Sequence, residues 1–263
     1  MDFLTFHEVS HYYFSEKNYT KAIEHVDFTM KDGEFISIIG PSGCGKSTIL
    51  SIIAQLTKQT EGHIFINGKA IAMSDMTVGY MLQQDYLFPW RTILDNVLIG
   101  PKMNGTLSSA TVEEARTLLH EVGLVNVEEK FPQELSGGMR QRAALVRTLI
   151  NDPTIFLLDE PFSALDYVTK LTLENLVASM IKTYKKSAIL VTHDISEAIS
   201  MSDRILLMDG QPGTIKKIFT IPSALRETKP FYVRRHEAYQ ALFDEIWQDV
   251  RGKKEEQLDE TDD

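Results

Sequence analysis

Gly40-Pro41-Ser42-Gly43-Cys44-Gly45-Lys46-Ser47-Thr48 fits the pattern G-x-x-x-x-G-K-[ST] at every specified position. Upstream, Phe35-Ile36-Ser37-Ile38-Ile39 is a short, nearly unbroken apolar run of the kind that a strand buried on both faces needs. Downstream, Ile49, Leu50, Ile52, Ile53 and Leu56 recur at helical spacing. The nine residues are therefore expected at a strand-to-helix turn. Glycines let the backbone bend so that successive N–H groups face inward, and the helix start adds partial positive charge, which together predict a phosphate cradle. Within it Lys46 is placed to reach β- and γ-phosphate oxygens and the Ser47 hydroxyl to ligate Mg²⁺. Cys44 fills an unspecified position, and a bulky thiol reagent there is expected to block nucleotide binding.

A length of 263 residues allows one large domain or two small ones, and the composition, 43% hydrophobic and 24% charged, is ordinary for a globular chain. No stretch approaches the run of about 20 apolar residues that a membrane span requires, and Met1-Asp2-Phe3-Leu4-Thr5 lacks a basic region followed by an apolar core. A cytosolic chain is expected. The single cysteine rules out an internal disulfide and a multi-cysteine metal site. A net charge of −10 argues against broad nucleic-acid binding, which needs a basic face, but leaves room for a nucleotide in a local cradle.

Working outward, residues 1 to 39 alternate apolar and polar positions, as in Val26, Phe28 and Met30, and predict short antiparallel strands. Glu61 to Gly68 and Val78 to Leu82 predict further strands, the second ending at Gln83. From Asp85 to Ile150 the period turns helical, with Val112, Ala115, Leu118, Leu119 and Val122 on one face and Gly123 as a stop. Thr154-Ile155-Phe156-Leu157-Leu158-Asp159-Glu160 is an apolar strand ending in two carboxylates. Ala188-Ile189-Leu190-Val191-Thr192-His193-Asp194 repeats that form, followed by a short helix through Met201 and a strand at Ile205 to Met208. From about Ile221 the chain reads as C-terminal helix, including Tyr239, Leu242, Phe243 and Ile246, and Lys253 to Asp263 is a charged, loose end. Strands alternating with helices imply an α/β, mostly parallel sheet with active groups at its carboxyl edge, beside an antiparallel subdomain and a helical insert.

Phosphoryl transfer needs a cradle, a metal and an oriented nucleophile, and each can be assigned to a strand end. Asp159 is the candidate Mg²⁺ ligand, directly or through water, and Glu160 the group that orients the attacking water or accepts its proton. Gln83 is placed to touch the metal or that water, with a turn-capping role as its competitor. His193 is placed to hydrogen-bond the γ-phosphate or Glu160, against the common structural role of a lone histidine. Leu135-Ser136-Gly137-Gly138-Met139-Arg140-Gln141-Arg142 has the form of a second helix-start anion site, though a plain capped helix is the simpler reading.

In this order the motifs resemble the ATP-binding subunits of ABC transporters, from about Phe6 to Thr220. Gly40 to Thr48 matches Walker A, Gln83 the Q-loop, Leu135 to Arg142 the signature, and Leu157 to Pro161 Walker B. Ser163-Ala164-Leu165-Asp166 matches the D-loop and Thr192-His193-Asp194 the switch histidine. The resemblance implies a RecA-like P-loop core in the segments 1–84 and 151–220, a helical subdomain at 85–150 and an extension at 221–263. It implies ATP and Mg²⁺ as cofactors, stacking of adenine on Tyr13 with Tyr12 as fallback, and a homodimer in which Ser136, Gly137, Gly138 and Asp166 of one copy meet the nucleotide of the other. It further implies a membrane permease contacting the Gln83 to Trp90 region, an extracytoplasmic solute-binding protein acting indirectly, and residence at the cytoplasmic face of the membrane. The wording around Gln83 to Thr92 is similar to importers of the nitrate, sulfonate and taurine type. A soluble ABC-type ATPase and a non-hydrolytic nucleotide switch are the alternatives.

Overall fold

The computed structural model describes residues 2–15 and 18–251, so the charged end from Lys253 lies outside the described residues. In chain order the strands are β1 (Leu4–Phe14), β2 (Tyr19–Met30), β3 (Phe35–Ile39), β4 (Glu61–Ile66), β5 (Lys69–Ala70), β6 (Val78–Met81), β7 (Ile155–Asp159), β8 (Ser187–Val191), β9 (Arg204–Asp209) and β10 (Thr214–Thr220). The helices are α1 (Lys46–Ile53), α2 (Ile93–Val97), α3 (Ile99–Met103), α4 (Ser109–Glu121), α5 (Gly137–Leu149), α6 (Tyr167–Thr183), α7 (Ile195–Met201), α8 (Ser223–Arg226), α9 (Pro230–Val233) and α10 (Glu237–Arg251). They fall into two compact units, Met1–Ser74 with Ile189–Asp263, and Asp75–Ala188.

The first unit holds an antiparallel sheet in the order β2-β1-β4-β5. β1 and β2 are not short: they run for 11 and 12 residues and pair from Leu4↔Met30 to Phe14↔Tyr19. Register shifts between Phe6 and Tyr12, with Glu8 and His25 at positive φ, let the long ribbon twist without losing its buried face. The turn between β4 and β5 is Asn67-Gly68, both at positive φ, as a two-residue hairpin requires.

The same unit carries strands in the order β10-β9-β3-β8, with β9 parallel to β3 and β10 antiparallel to β9. All five residues of β3 are buried, as its apolar run demands. α1 stops at Ile53, because Gln55 turns to positive φ; Leu56, expected on the apolar face, is 71% exposed. The expected C-terminal helix is three helices. Pro230 removes a backbone donor and disfavours helical backbone at Lys229, so α8 ends before it and α9 starts on it. Leu225, Val233, Tyr239 and Ile246 from these helices join Ile195, Ala198 and Ile199 of α7 and Ile205 and Leu207 of β9 in one apolar core.

In the second unit β6 and β7 pair in parallel, from Val78↔Ile155 to Met81↔Leu158. α4 buries Ala115, Leu118 and Leu119 and is followed by Gly123 at a φ of 72°. The unit takes in β6, β7 and α2 to α6 together, whereas the sequence segments divide the chain at 84/85 and 150/151. Side chains of α5 explain that grouping: Gln141 Nε2 donates to the carbonyl of Gln83, and Arg147 to the carbonyls of Asp85 and Tyr86.

Candidate active site

The cradle belongs to the first unit. Gly40, Gly43 and Gly45 all have positive φ, and two of them are glycine for a second reason. A Cβ on Gly45 would lie 2.3 Å from Ile23 Cγ2 and 2.8 Å from the Ala22 carbonyl oxygen, and one on Gly40 2.4 Å from that of Met208. The loop is thus pressed against β2 and β9 while it turns into α1 through Gly45, and no side chain caps that helix. Lys46 Nζ donates to the carbonyls of Gly40 (2.8 Å) and Pro41 (2.9 Å), which folds the ammonium back over the loop. Cys44 is fully buried, and desolvation pushes its thiol above the ordinary value despite the neighbouring Lys46 charge. The expectation that a bulky reagent would reach Cys44 is therefore corrected.

Tyr13 stands beside the cradle. Its hydroxyl is 3.4 Å from Thr48 Oγ1, its ring meets His11 edge-on at 4.6 Å, and it is 47% exposed. Tyr12 is engaged elsewhere: its hydroxyl donates to Glu61 and Lys21 lies over its ring. His193 is exposed in the turn after β8. Thr192 Oγ1 donates to the buried Glu197 at 2.5 Å, and Asp194 caps α7 by accepting from the N–H groups of Ser196 (2.7 Å) and Glu197 (3.3 Å).

The carboxylates belong to the second unit. Asp159 closes β7 and accepts from the Tyr80 hydroxyl at 3.4 Å. Glu160 follows at a φ of 47°, a left-handed backbone that costs a glutamate of order 1 kcal/mol and recurs where function fixes a side chain. The Glu160 carbonyl accepts from Ser163 N (3.3 Å) and Ser163 Oγ (3.0 Å), which holds the turn. Gln83 Nε2 donates to Ser163 Oγ at 3.0 Å, so this side chain reaches the turn after Glu160 instead of capping its own. Ser136 caps α5 by accepting from Met139 N at 3.3 Å, and Asp166 caps α6 by accepting from Thr169 N at 3.1 Å. Asp85 accepts from Arg140 Nε at 2.9 Å. A cleft of about 310 Å³ lies between the Gln83 to Tyr86 segment, the Gly137, Arg140 and Gln141 face of α5, and Ala164-Leu165.

Residues 23–163 match the ABC transporter family. The chain belongs to that family. It is 53% identical to the ABC transporter ATP-binding protein YtlC of Bacillus subtilis (strain 168) over 98% of its own length and 99% of the relative's. It is 39% identical to the taurine import ATP-binding protein TauB of Roseobacter denitrificans, over 91% and 92% of the two chains. It is also similar to the dimeric, post-hydrolysis structure of the ATP-binding cassette MJ0796 bound to ADP and Pi, with a TM-score of 0.72 and 31% identity over 83% of this chain and 99% of that one. The fold is that of an ABC ATPase cassette and the chain is an ATP-binding subunit with ATPase activity.

In this ABC subunit the second unit joins Gln83, Ser163 and the turn holding Glu160 by hydrogen bonds, with Gly137 and Gln83 lining one cleft, and the first brings Tyr13 to the cradle. Asp85 and Asn96 were not singled out from sequence. Asp85 stands two residues past Gln83, which was a signal, but its Arg140 partner is 55 residues away. Buried Asn96 accepts from Phe88 N (2.7 Å) and donates to the carbonyls of Phe88, Arg91 and Thr92, fixing the loop that presents Trp90. Within that loop Leu87 is buried, whereas Trp90 is 71% exposed and Tyr86 is exposed as well. Ser47, Asp159 and Gln83 offer hard oxygen donors, and the described residues contain no cluster of three or more His, Cys, Asp or Glu that could cage a metal. Hydroxyl, carboxylate and amide oxygens suit Mg²⁺, which is bound through few carboxylates and completes its shell with phosphate and water.

Proposed function

We propose that this subunit powers uptake of a small solute of the nitrate, sulfonate or taurine type through a separate membrane permease. The observation that carries the proposal is the near full-length likeness to a taurine import subunit, together with a glycine cradle whose backbone tolerates no side chain at Gly40 or Gly45. ATP is held by residues 40–48, with Lys46 moving from the Gly40 and Pro41 carbonyls to the phosphates and Tyr13 stacking on adenine. Ser47, Asp159 and Gln83 are the residues that would hold Mg²⁺, which when bound would supply neutralisation of the charge on the phosphates. Glu160 orients water and accepts its proton, and His193 donates to the γ-phosphate oxygens.

Two copies close head to tail, so that Ser136, Gly137, Gly138 and Asp166 of one meet the triphosphate of the other. Trp90 and Tyr86 form the surface that a permease segment seats on, and the Asp85–Arg140 and Gln141–Gln83 bonds tie that surface to the signature helix. The subunit sits at the cytoplasmic face of the membrane, and a solute-binding protein delivers cargo from the other side; among the described residues no helix is long and apolar enough to cross.

The Glu160→Gln chain is expected to hydrolyse ATP at least about 100-fold more slowly and to elute as an ATP-bound dimer in gel filtration. Turnover at the wild-type rate would remove Glu160 from the mechanism. Purification of the tagged subunit from native membranes is expected to bring a permease with it, and Trp90→Ala to lose that permease; recovery of the subunit without any membrane protein would favour a soluble ATPase.

A further inference from the structure

α10 ends up bonded to the helix that carries the His193 turn. The Tyr239 hydroxyl donates to Ser196 Oγ at 2.8 Å, across 43 residues of sequence. Ser196 is in the first turn of α7, the turn whose N–H groups bind Asp194, and Glu197 in the same turn accepts from Thr192. Residues 192 and 194 are therefore both tied to the start of α7, and His193 between them goes where that turn goes. A seven-residue helix does little to fix its own position, and its apolar contacts through Ala198 and Ile199 are not directional.

α10 is itself well anchored. Tyr239 and Ile246 are buried, and at its far end Lys217 of β10 donates to Glu245 (3.0 Å) and Asp249 (2.7 Å). Its near end thus presents a fixed hydroxyl to α7.

We infer that Tyr239 is a positioning residue for His193, setting the imidazole by holding the first turn of α7. The inference rests on the proposed role of His193 at the γ-phosphate. Displacements of about 1 Å at a group that meets the reacting phosphate are enough to slow chemistry without weakening ground-state binding.

Removing one neutral hydrogen bond in Tyr239→Phe, which keeps the ring and its packing, is expected to lower kcat about fivefold with KM for ATP held within about twofold. Ser196→Ala should reproduce the loss and Ser196→Thr restore most of it. In a His193→Ala background Tyr239→Phe should cost nothing further, since both act through one group. A direct readout comes from ¹⁵N-histidine spectra of the Glu160→Gln subunit with MgATP: the His193 resonance should move in Tyr239→Phe while His7, His25 and His63 stay in place. Wild-type kcat in Tyr239→Phe, the same fivefold loss persisting without His193, or an unmoved His193 resonance would each overturn the inference. Wild-type kcat in His193→Ala would instead discard the role of His193 itself, and the inference with it.

Discussion

Two helix starts in this subunit look alike on paper and are built differently. α1 follows Gly45, which is left-handed, and no side chain caps it. α5 follows Ser136, which is extended and accepts from Met139 with its own hydroxyl. At Gly45 a methyl group would meet Ile23 and the Ala22 carbonyl, whereas at Gly137 the nearest atom is 3.9 Å away, at the end of the Arg140 side chain. The first start is a loop folded tightly on the strands of its own unit. The second is an already capped turn with open space at its glycine. Gly138 belongs to neither class: its missing Cβ makes room for Thr169, a packing demand. The two starts share a glycine-rich sequence yet differ in what their glycines are for: close approach of main chain at Gly45, open space at Gly137.

The largest effect is expected from a pair of alanines. Gly45→Ala must relieve a left-handed backbone and a contact with main chain, and is expected to lower unfolding stability by about 3 to 5 kcal/mol in urea melts. Gly137→Ala, helical and unobstructed, should change stability by less than about 1 kcal/mol. Similar losses in the two chains would mean that both starts are equally constrained. Next in size, Lys46→Ala removes charge-assisted bonds to phosphate and is expected to weaken ATP binding roughly 100-fold in a fluorescent-nucleotide titration. Ser136→Ala should leave binding to the isolated subunit within about twofold and cost about 1 kcal/mol of stability through the lost cap. A Ser136→Ala chain that bound ATP as poorly as Lys46→Ala would place both starts in one cradle and sink the distinction.

What the sequence made legible follows the range of the forces involved. The strand, loop and helix around Gly40 to Ile53 are local, and so are the carboxylates closing β7; both emerge from a change of apolar period beside a fixed motif. β10 went unread because an edge strand buries little: of Thr214 to Thr220 only Phe219 is fully buried, and Lys216 and Lys217 hide the alternation. The length of β1 and β2 was hidden by their bulges, which reset the alternation that sequence reading depends on. At the site, residue types at strand ends could be named, but not the partners that hold them. Asp85 with Arg140, Gln83 with Ser163 and Tyr239 with Ser196 are long-range pairs with no periodic signature.

A third helix start, that of α6, responds to pH. Asp166 caps α6, and the hydroxyl and backbone N–H of Thr169 hold its carboxyl below the ordinary carboxylate value. A group whose folded pKa is depressed contributes stability that is present above its unfolded value, near 3.8, and lost as pH falls through the folded one. Asn is as good a cap as Asp but does not titrate. The wild-type chain should therefore melt slightly above Asp166→Asn at neutral pH, and the gap should close as pH drops below about 4. The effect is small because the carboxyl is exposed and screened by solvent. Thermal melts of the two chains across that range decide it. A gap that persists unchanged at low pH would show that the carboxylate charge is not what caps α6, and that this helix start, like α5, is satisfied by neutral hydrogen bonds alone.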